Sequence, residues 1–84
     1  MQNLFNLQNG MVQTILDNGQ IAQQKWVSIT NYGPDPVTVK CYDATNLYLN
    51  RSISAGQTME VLGRRIEISV AANQRAFGFW TSSN

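Results

Sequence analysis

Side chains that could do chemistry are few in this sequence. It contains no histidine, one cysteine (Cys41) and five acidic residues among 84. General acid–base catalysis, metal binding and nucleophilic relays draw on His, Cys, Asp and Glu. The sequence therefore predicts a protein that is not an enzyme, with no catalytic residue, no cofactor and no bound metal.

Two small groups of polar residues could still form a site. Asp35, Asp43 and Asn46 supply oxygen atoms near two turns, but calcium takes about six to eight oxygens, and Asx residues in turns mostly bond their own backbone. Arg64 and Arg65 could clamp a phosphate or carboxylate, yet adjacent residues of a strand point to opposite faces. We interpret the aspartates as turn residues and the arginines as solvated or interface side chains.

The polar character of the chain comes from amides rather than charges. Charged residues make up 13% of the sequence, where roughly 25% is typical of soluble domains. The 9 Asn and 8 Gln residues can both donate and accept hydrogen bonds. A net charge of +1 gives little repulsion between copies and no basic face for nucleic acid. The composition favours protein contacts and excludes nucleic acid as a partner.

The length corresponds to one small domain, which buries only about 60% of its unfolded surface. A single cysteine allows no internal disulfide, and without histidine a zinc site is disfavoured. Association, as a homo-oligomer or with another protein, is the remaining source of extra stability. The first residues lack the features of a targeting signal, and no stretch reaches the roughly 18 apolar residues of a membrane helix. We expect an intracellular product with no membrane contact.

Apolar side chains recur at every second position in several short runs. Such alternation predicts strands with one buried face, and strands separated by turns about every 8 to 12 residues are typical of a sandwich or small barrel. We predict an all-β fold, a small antiparallel β-sandwich of Ig-like or jelly-roll-like type over residues 11–84. Its predicted core comprises Val27, Ile29, Val37, Val39, Ile66, Ile68, Val70, Phe77 and Phe79, with Cys41 on the same inner side.

Residues 1–10 fall outside this pattern. Leu4, Phe5 and Leu7 lie among amides, with no turn signal that closes them down on the domain. We predict an extended N-terminal arm whose apolar side chains dock on a neighbouring subunit, where their burial offsets the cost of ordering the segment.

The segment that follows allows two interpretations. Met11, Ile15 and Ile21 could form a helical stripe, but Asn18-Gly19 divides it and suits a type I′ turn. We predict two strands, over residues 12–16 and 20–30, joined as a hairpin.

Aromatic side chains supply the candidate binding surface. Most of them are predicted to lie opposite the aliphatic face, and exposed aromatic rings mark interaction sites. Flat rings beside amides would also suit a sugar, whereas Trp26 and Trp80 could instead close the ends of the sandwich. With the apolar residues of the arm, the predicted partner interface consists of Leu4, Phe5, Leu7, Trp26, Tyr32, Tyr42, Tyr48 and Trp80.

Several motifs occur in an order found in one group of proteins. They are 28–33 (SITNYG), 36–39 (PVTV), 53–58 (ISAGQT) and 66–70 (IEISV). Over residues 28–80 the chain resembles the small β-sandwich accessory proteins of tailed bacteriophages, which include capsid decoration, or cement, proteins. The resemblance implies a structural role in a virion assembled in the host cytoplasm, with a major capsid or other virion protein as partner. A carbohydrate- or receptor-binding module that uses the aromatic face is the alternative.

Overall fold

The computed structural model describes residues 2–17, 25–43 and 46–82, and every regular element in these ranges is a β-strand. In chain order the strands are β1 (Gln2–Gln8), β2 (Val12–Asp17), β3 (Lys25–Pro34), β4 (Val37–Asp43), β5 (Asn46–Ile53), β6 (Thr58–Gly63), β7 (Arg65–Ser69) and β8 (Arg75–Ser82). The all-β prediction is confirmed. No helix that could cross a bilayer occurs in these ranges.

The strands pair as one long hairpin that is rolled up on itself. Strand β1 pairs with β8, β2 with β7, β3 with β6 and β4 with β5, all antiparallel. Additional pairing of β3 with β8 and of β4 with β7 gives sheet A, in the order β1-β8-β3-β6, and sheet B, in the order β2-β7-β4-β5. This is the strand order of an eight-stranded jelly roll. The predicted antiparallel sandwich is confirmed, and of the two predicted types it is the jelly roll.

The two sheets enclose one hydrophobic core. Strict alternation of β-branched residues places one side of β3, β4 and β7 inside, and Cys41 is buried with them. A one-residue shift would turn this whole set towards water, so the alternation fixes the register. All of the aliphatic residues predicted for the core are buried, namely Val27, Ile29, Val37, Val39, Ile66, Ile68 and Val70.

Strand β8 turns Ala76, Gly78 and Trp80 towards the core, and Phe77 and Phe79 away from it. Ala76 is buried, whereas Phe77 is 52% exposed and Phe79 is partly exposed. The prediction of Phe77 and Phe79 as core residues is therefore wrong. A Cβ atom added at Gly78 would collide with the backbone carbonyl oxygen of Thr30 and would lie only 2.9 Å from Cζ of Phe5. The Thr30 carbonyl group and the ring of Phe5 therefore leave no room for a side chain at this position of β8.

The N-terminal segment is strand β1, not an arm. It pairs with β8 along its whole length, from Gln2 to Gln8. Phe5 and Leu7 are buried in the core, and Leu4, on the opposite side of the strand, is 78% exposed. The prediction that Phe5 and Leu7 dock on a neighbouring subunit is wrong, because their own domain buries them. Of the three apolar side chains, only Leu4 is presented outwards.

Strands β2 and β3 belong to different sheets and do not pair with each other. The predicted hairpin between them is therefore wrong, although β2 begins and ends within one residue of the prediction. The turn at Asn18-Gly19 and the start of the second predicted strand lie outside the described residues.

Candidate interaction surface

The outer face of sheet A carries a cluster of apolar side chains, Leu4, Tyr32, Phe77 and Phe79, which we call the aromatic patch. Leu4 lies beside Phe79 in the register of β1 and β8. The ring centroid of Tyr32 is 5.8 Å from that of Phe77 and 5.7 Å from that of Phe79, with the planes tilted by 47° and 48°. These distances are those of favourable ring pairs. The patch is thus one continuous surface built by three neighbouring strands.

A groove of about 450 Å³ crosses the aromatic patch. Gly78 contributes its backbone to the groove, between the outward side chains of Phe77 and Phe79. Leu4 and Tyr32 stand on the rim of the groove, and Tyr32 is 54% exposed. The full lining is Leu4, Phe5, Asn6, Tyr32, Phe77 and Gly78.

Tyr32 reaches the patch through a β-bulge in β3. The pairing with β8 passes from Asn31↔Gly78 directly to Gly33↔Phe77, so that Tyr32 is the extra residue. Gly33 has a φ of +95°, a left-handed conformation that glycine adopts without strain. The sequence Asn-Tyr-Gly therefore buries its first side chain, pushes its second outwards and permits the bend with its third.

A second depression lies on the same outer face, at the other end of the strands. It has a volume of about 270 Å³ and contains Trp26, Ser28, Glu60 and Thr81 in its lining. Trp26 is 54% exposed and lies beside Leu62 in the register of β3 and β6. An indole face next to hydroxyl groups and a carboxylate is an arrangement that could hold a small polar ligand.

The outer face of sheet B exposes Val12 and Leu47 only at its two opposite edge strands, and in its middle Tyr42, Arg65 and Glu67 contact one another. The Tyr42 hydroxyl donates to Oε1 of Glu67 at 3.1 Å, and the Arg65 guanidinium lies 4.0 Å from the centre of the Tyr42 ring. Nη2 of Arg65 is also 3.7 Å from Oε2 of Glu67. Apolar exposure is therefore concentrated on sheet A, which makes its outer face the candidate interaction surface.

The structure separates the predicted interface aromatics. Trp26 and Tyr32 lie on the outer face of sheet A, but Tyr42 lies on sheet B. Trp80 packs against the core and is partly buried, so it does not contribute to the patch. Tyr48 belongs to β5, and its side chain lies outside what the structure describes. The sequence analysis missed Phe77, since alternation alone assigns its strand but not which side faces water.

The two aspartates bond residues that are distant in the sequence, and not the backbone of their own turns as expected. Oδ2 of Asp35 accepts a hydrogen bond from the backbone N–H of Arg75 at 2.9 Å, and Oδ1 of Asp43 lies 3.4 Å from Nη1 of Arg64. Asn46 begins β5. Within residues 2–17, 25–43 and 46–82, no three His, Cys, Asp or Glu side chains come together as a metal-binding group.

Cys41 is expected to be unreactive in the folded protein. Its side chain is fully buried, and burial raises the pKa of its thiol from 9.0 to about 11. Thiolate is the reactive form of cysteine. We therefore expect a thiol reagent such as dithionitrobenzoate to label Cys41 only at the rate at which the chain unfolds.

The same burial predicts a pH dependence of stability. The pKa of Cys41 is higher in the folded state than in the unfolded state. Its contribution to the free energy of unfolding is therefore fully present below about pH 9, and roughly 2 to 3 kcal/mol of it is lost as the pH rises to about 11. Urea unfolding between pH 8 and 11, with Cys41→Ala as the control, measures it. A difference between the two proteins that stays constant over this range would contradict the prediction.

No protein-family model matches the chain, and neither a curated protein nor a solved structure matches it.

Proposed function

We propose that this protein is a structural virion component, a capsid decoration or cement protein that binds a symmetric capsid lattice and stabilises it. The observation that carries the proposal is the aromatic patch. The fold leaves Leu4, Tyr32 and Phe77 about half or more exposed and contiguous on one sheet. Exposed apolar patches of this kind mark contacts with other proteins. A major capsid protein, or another virion protein, is the proposed partner.

The fold supports this proposal by analogy. Eight-stranded jelly rolls occur in viral capsid domains and also in lectins. A fold alone does not set a function, which depends on the site it carries. Here that site is an apolar surface, and the one thiol, Cys41, is buried in its protonated form at neutral pH. These features favour a binding role over catalysis.

The experiment is co-sedimentation with capsids of the phage whose genome carries this chain. We expect saturable binding at a fixed ratio to the capsid subunits, and decorated capsids that resist heat better than bare ones. Leu4→Ser combined with Phe77→Ser should weaken binding at least about tenfold, since exposed anchors dominate interface energies. Val12→Ser is the matched control, because Val12 is 61% exposed on sheet B. Absence of binding by the unmodified protein would refute the proposal.

The depression around Trp26 favours one second candidate, a carbohydrate-binding module. Its indole could stack on a sugar ring while Ser28, Glu60 and Thr81 bond the hydroxyl groups. Sugar titrations followed by tryptophan fluorescence, with Trp26→Ala and Trp80→Phe compared, distinguish this function from capsid binding. A saturable change that persists in Trp80→Phe and disappears in Trp26→Ala would support it.

A further inference from the structure

We propose that the outer face of sheet A pairs with the same face of a second copy of this chain, in a two-fold symmetric dimer. This inference rests on the proposed function only for the premise that the aromatic patch is a protein contact, and it requires no capsid. It names a second copy as the occupant of the patch in the absence of capsids, so that capsid binding through the patch requires the dimer to dissociate. Three properties of the face support self-association over a different partner.

The first property is area. The molecule measures 35 × 24 × 15 Å, and the two stacked sheets account for the short axis, since sheets pack about 10 Å apart. Each broad face therefore offers on the order of 800 Å². That is about the area that each partner contributes to a standard protein interface. A second copy, with a face of the same size, would cover the patch completely.

The second property is the shape of the outer face of sheet A near the proposed two-fold axis. In a two-fold interface the same residues of both copies meet near the axis, so a knob and a hole must lie side by side on one surface. Leu4, which is 78% exposed, stands on the rim of the groove at Gly78. A two-fold axis that passes between Leu4 and the groove therefore places each Leu4 in the groove of the other copy.

The third property is charge. Among the described residues of the outer face of sheet A, Glu60 and Arg75 are the charged ones, and neither has an ion-pair partner within the described part of the chain. Glu60 on β6 and Thr81 on β8 both pair with Ser28 of β3, so they lie at the same height along the strands. Arg75 lies roughly 20 Å from Thr81 along β8. The two charges thus lie towards opposite ends of the face.

These positions define the dimer axis. The midpoint between Glu60 and Arg75 lies on β3, level with Gly78 of β8 and Phe5 of β1, which is the level of the aromatic patch. A two-fold axis through that point, in the plane of the face and perpendicular to the line that joins the two charges, brings each Arg75 opposite Glu60 of the other copy. The result has an apolar centre and a polar, oppositely charged rim, which is the usual composition of a protein interface.

Sedimentation equilibrium tests the dimer. We expect the unmodified chain at about 0.1 mM to have twice the mass of one chain, well above the dissociation constants of standard interfaces. Leu4→Ser and Phe77→Ser should each weaken the dimer at least about 30-fold, with circular dichroism showing that the fold persists. Val12→Ser on sheet B should leave the dimer unchanged. A monomer at this concentration, or a dimer insensitive to both patch variants, overturns the proposal.

A charge exchange tests the axis. Glu60→Arg and Arg75→Glu should each weaken the dimer by about two- to tenfold, because an exposed ion pair contributes little and occurs twice here. The double variant, which restores opposite charges, should recover most of the affinity. If the losses of dimer affinity in the two single variants simply add in the double variant, this arrangement of the two charges is overturned. If the chain is a monomer but still binds capsids through the patch, the dimer proposal fails and the proposed function stands. If the chain is a dimer but binds no capsid, the proposed function fails and the dimer proposal stands.

Discussion

Phe5→Ala is expected to lower the free energy of unfolding by about 3 to 5 kcal/mol. Phe5 is 3% exposed, and its ring occupies the space that a side chain at Gly78 would need. Alanine leaves a cavity there, because Gly78, which faces Phe5 on β8, has no side chain to fill the space. Small domains have total stabilities of about 5 to 15 kcal/mol. The variant should therefore be close to unfolding, and Leu7→Ala on the same strand should cost about 2 to 5 kcal/mol.

Urea unfolding gives the measurement, and Leu4→Ala is the matched control from the same strand. It removes a similar apolar side chain, but one that faces outwards, so it should change the monomer by less than about 0.5 kcal/mol. The comparison must be made at protein concentrations where the proposed dimer is dissociated. Equal stabilities for Phe5→Ala and Leu4→Ala would mean that β1 does not belong to the core, and the N-terminal arm would return as the better description.

The strands that can be predicted from this sequence are those whose alternation is strict and aliphatic. In β3, β4 and β7, residues such as Ile29, Val39 and Ile68 have polar neighbours on both sides, so the pattern gives both the strand and its buried side. In β8 the alternation predicts the strand but not which of its two sides is buried. Its apolar rings alternate with Ala76 and Gly78, and the burial of the small residues depends on Phe5, which is far away in sequence.

Strand β1 could not be predicted for a related reason. Leu4 and Phe5 are adjacent and face opposite sides, so only Phe5 and Leu7 carry the period, and two residues are too few to define it. The candidate interface shares this limit. The sequence indicates exposed aromatics at Trp26 and Tyr32, but which rings lie together depends on the pairing of distant strands. That pairing brings Leu4 and Phe77 to Tyr32 and takes Tyr42 to the other sheet.

A buried asparagine, Asn31, holds one end of the sandwich together and was not singled out by its sequence context. Its Nδ2 donates to the carbonyl oxygens of Asp35 and Ile53, both at 2.9 Å, and its Oδ1 accepts from the N–H of Gly33 at 2.7 Å. Its own carbonyl accepts from the N–H of Gly56. Asn31 is 0% exposed, and its bonds to Ile53 and Gly33 are buried. The residue joins the turn after β3 to the end of β5.

Asn31→Ala is expected to lower the free energy of unfolding by about 3 to 5 kcal/mol. The change leaves one backbone N–H and two carbonyl oxygens without this partner, and each unsatisfied buried group costs about 1 to 3 kcal/mol. The loss should show as an earlier urea midpoint with an unchanged dependence on denaturant. Gln57→Ala is the control, because Gln57 is exposed and bonds only the neighbouring loop through its side chain.

Asn31→Asp separates hydrogen bonding from volume, because the two side chains have nearly the same shape. An ionised carboxylate at this position would face two carbonyl oxygens without a proton to donate, so the folded state favours the protonated acid. The folded pKa would then exceed the unfolded value of about 3.9. The stability of this variant should be fully present below that pH and fall by up to about 1.4 kcal/mol per unit as the pH rises above it. We expect the urea midpoint of Asn31→Asp to fall relative to that of Asn31→Ala as the pH is raised from 3.5 to 8, because the protonated acid can still donate one hydrogen bond and the carboxylate cannot. Parallel curves for the two variants would show that the amide donors of Asn31 do not hold this end of the sandwich.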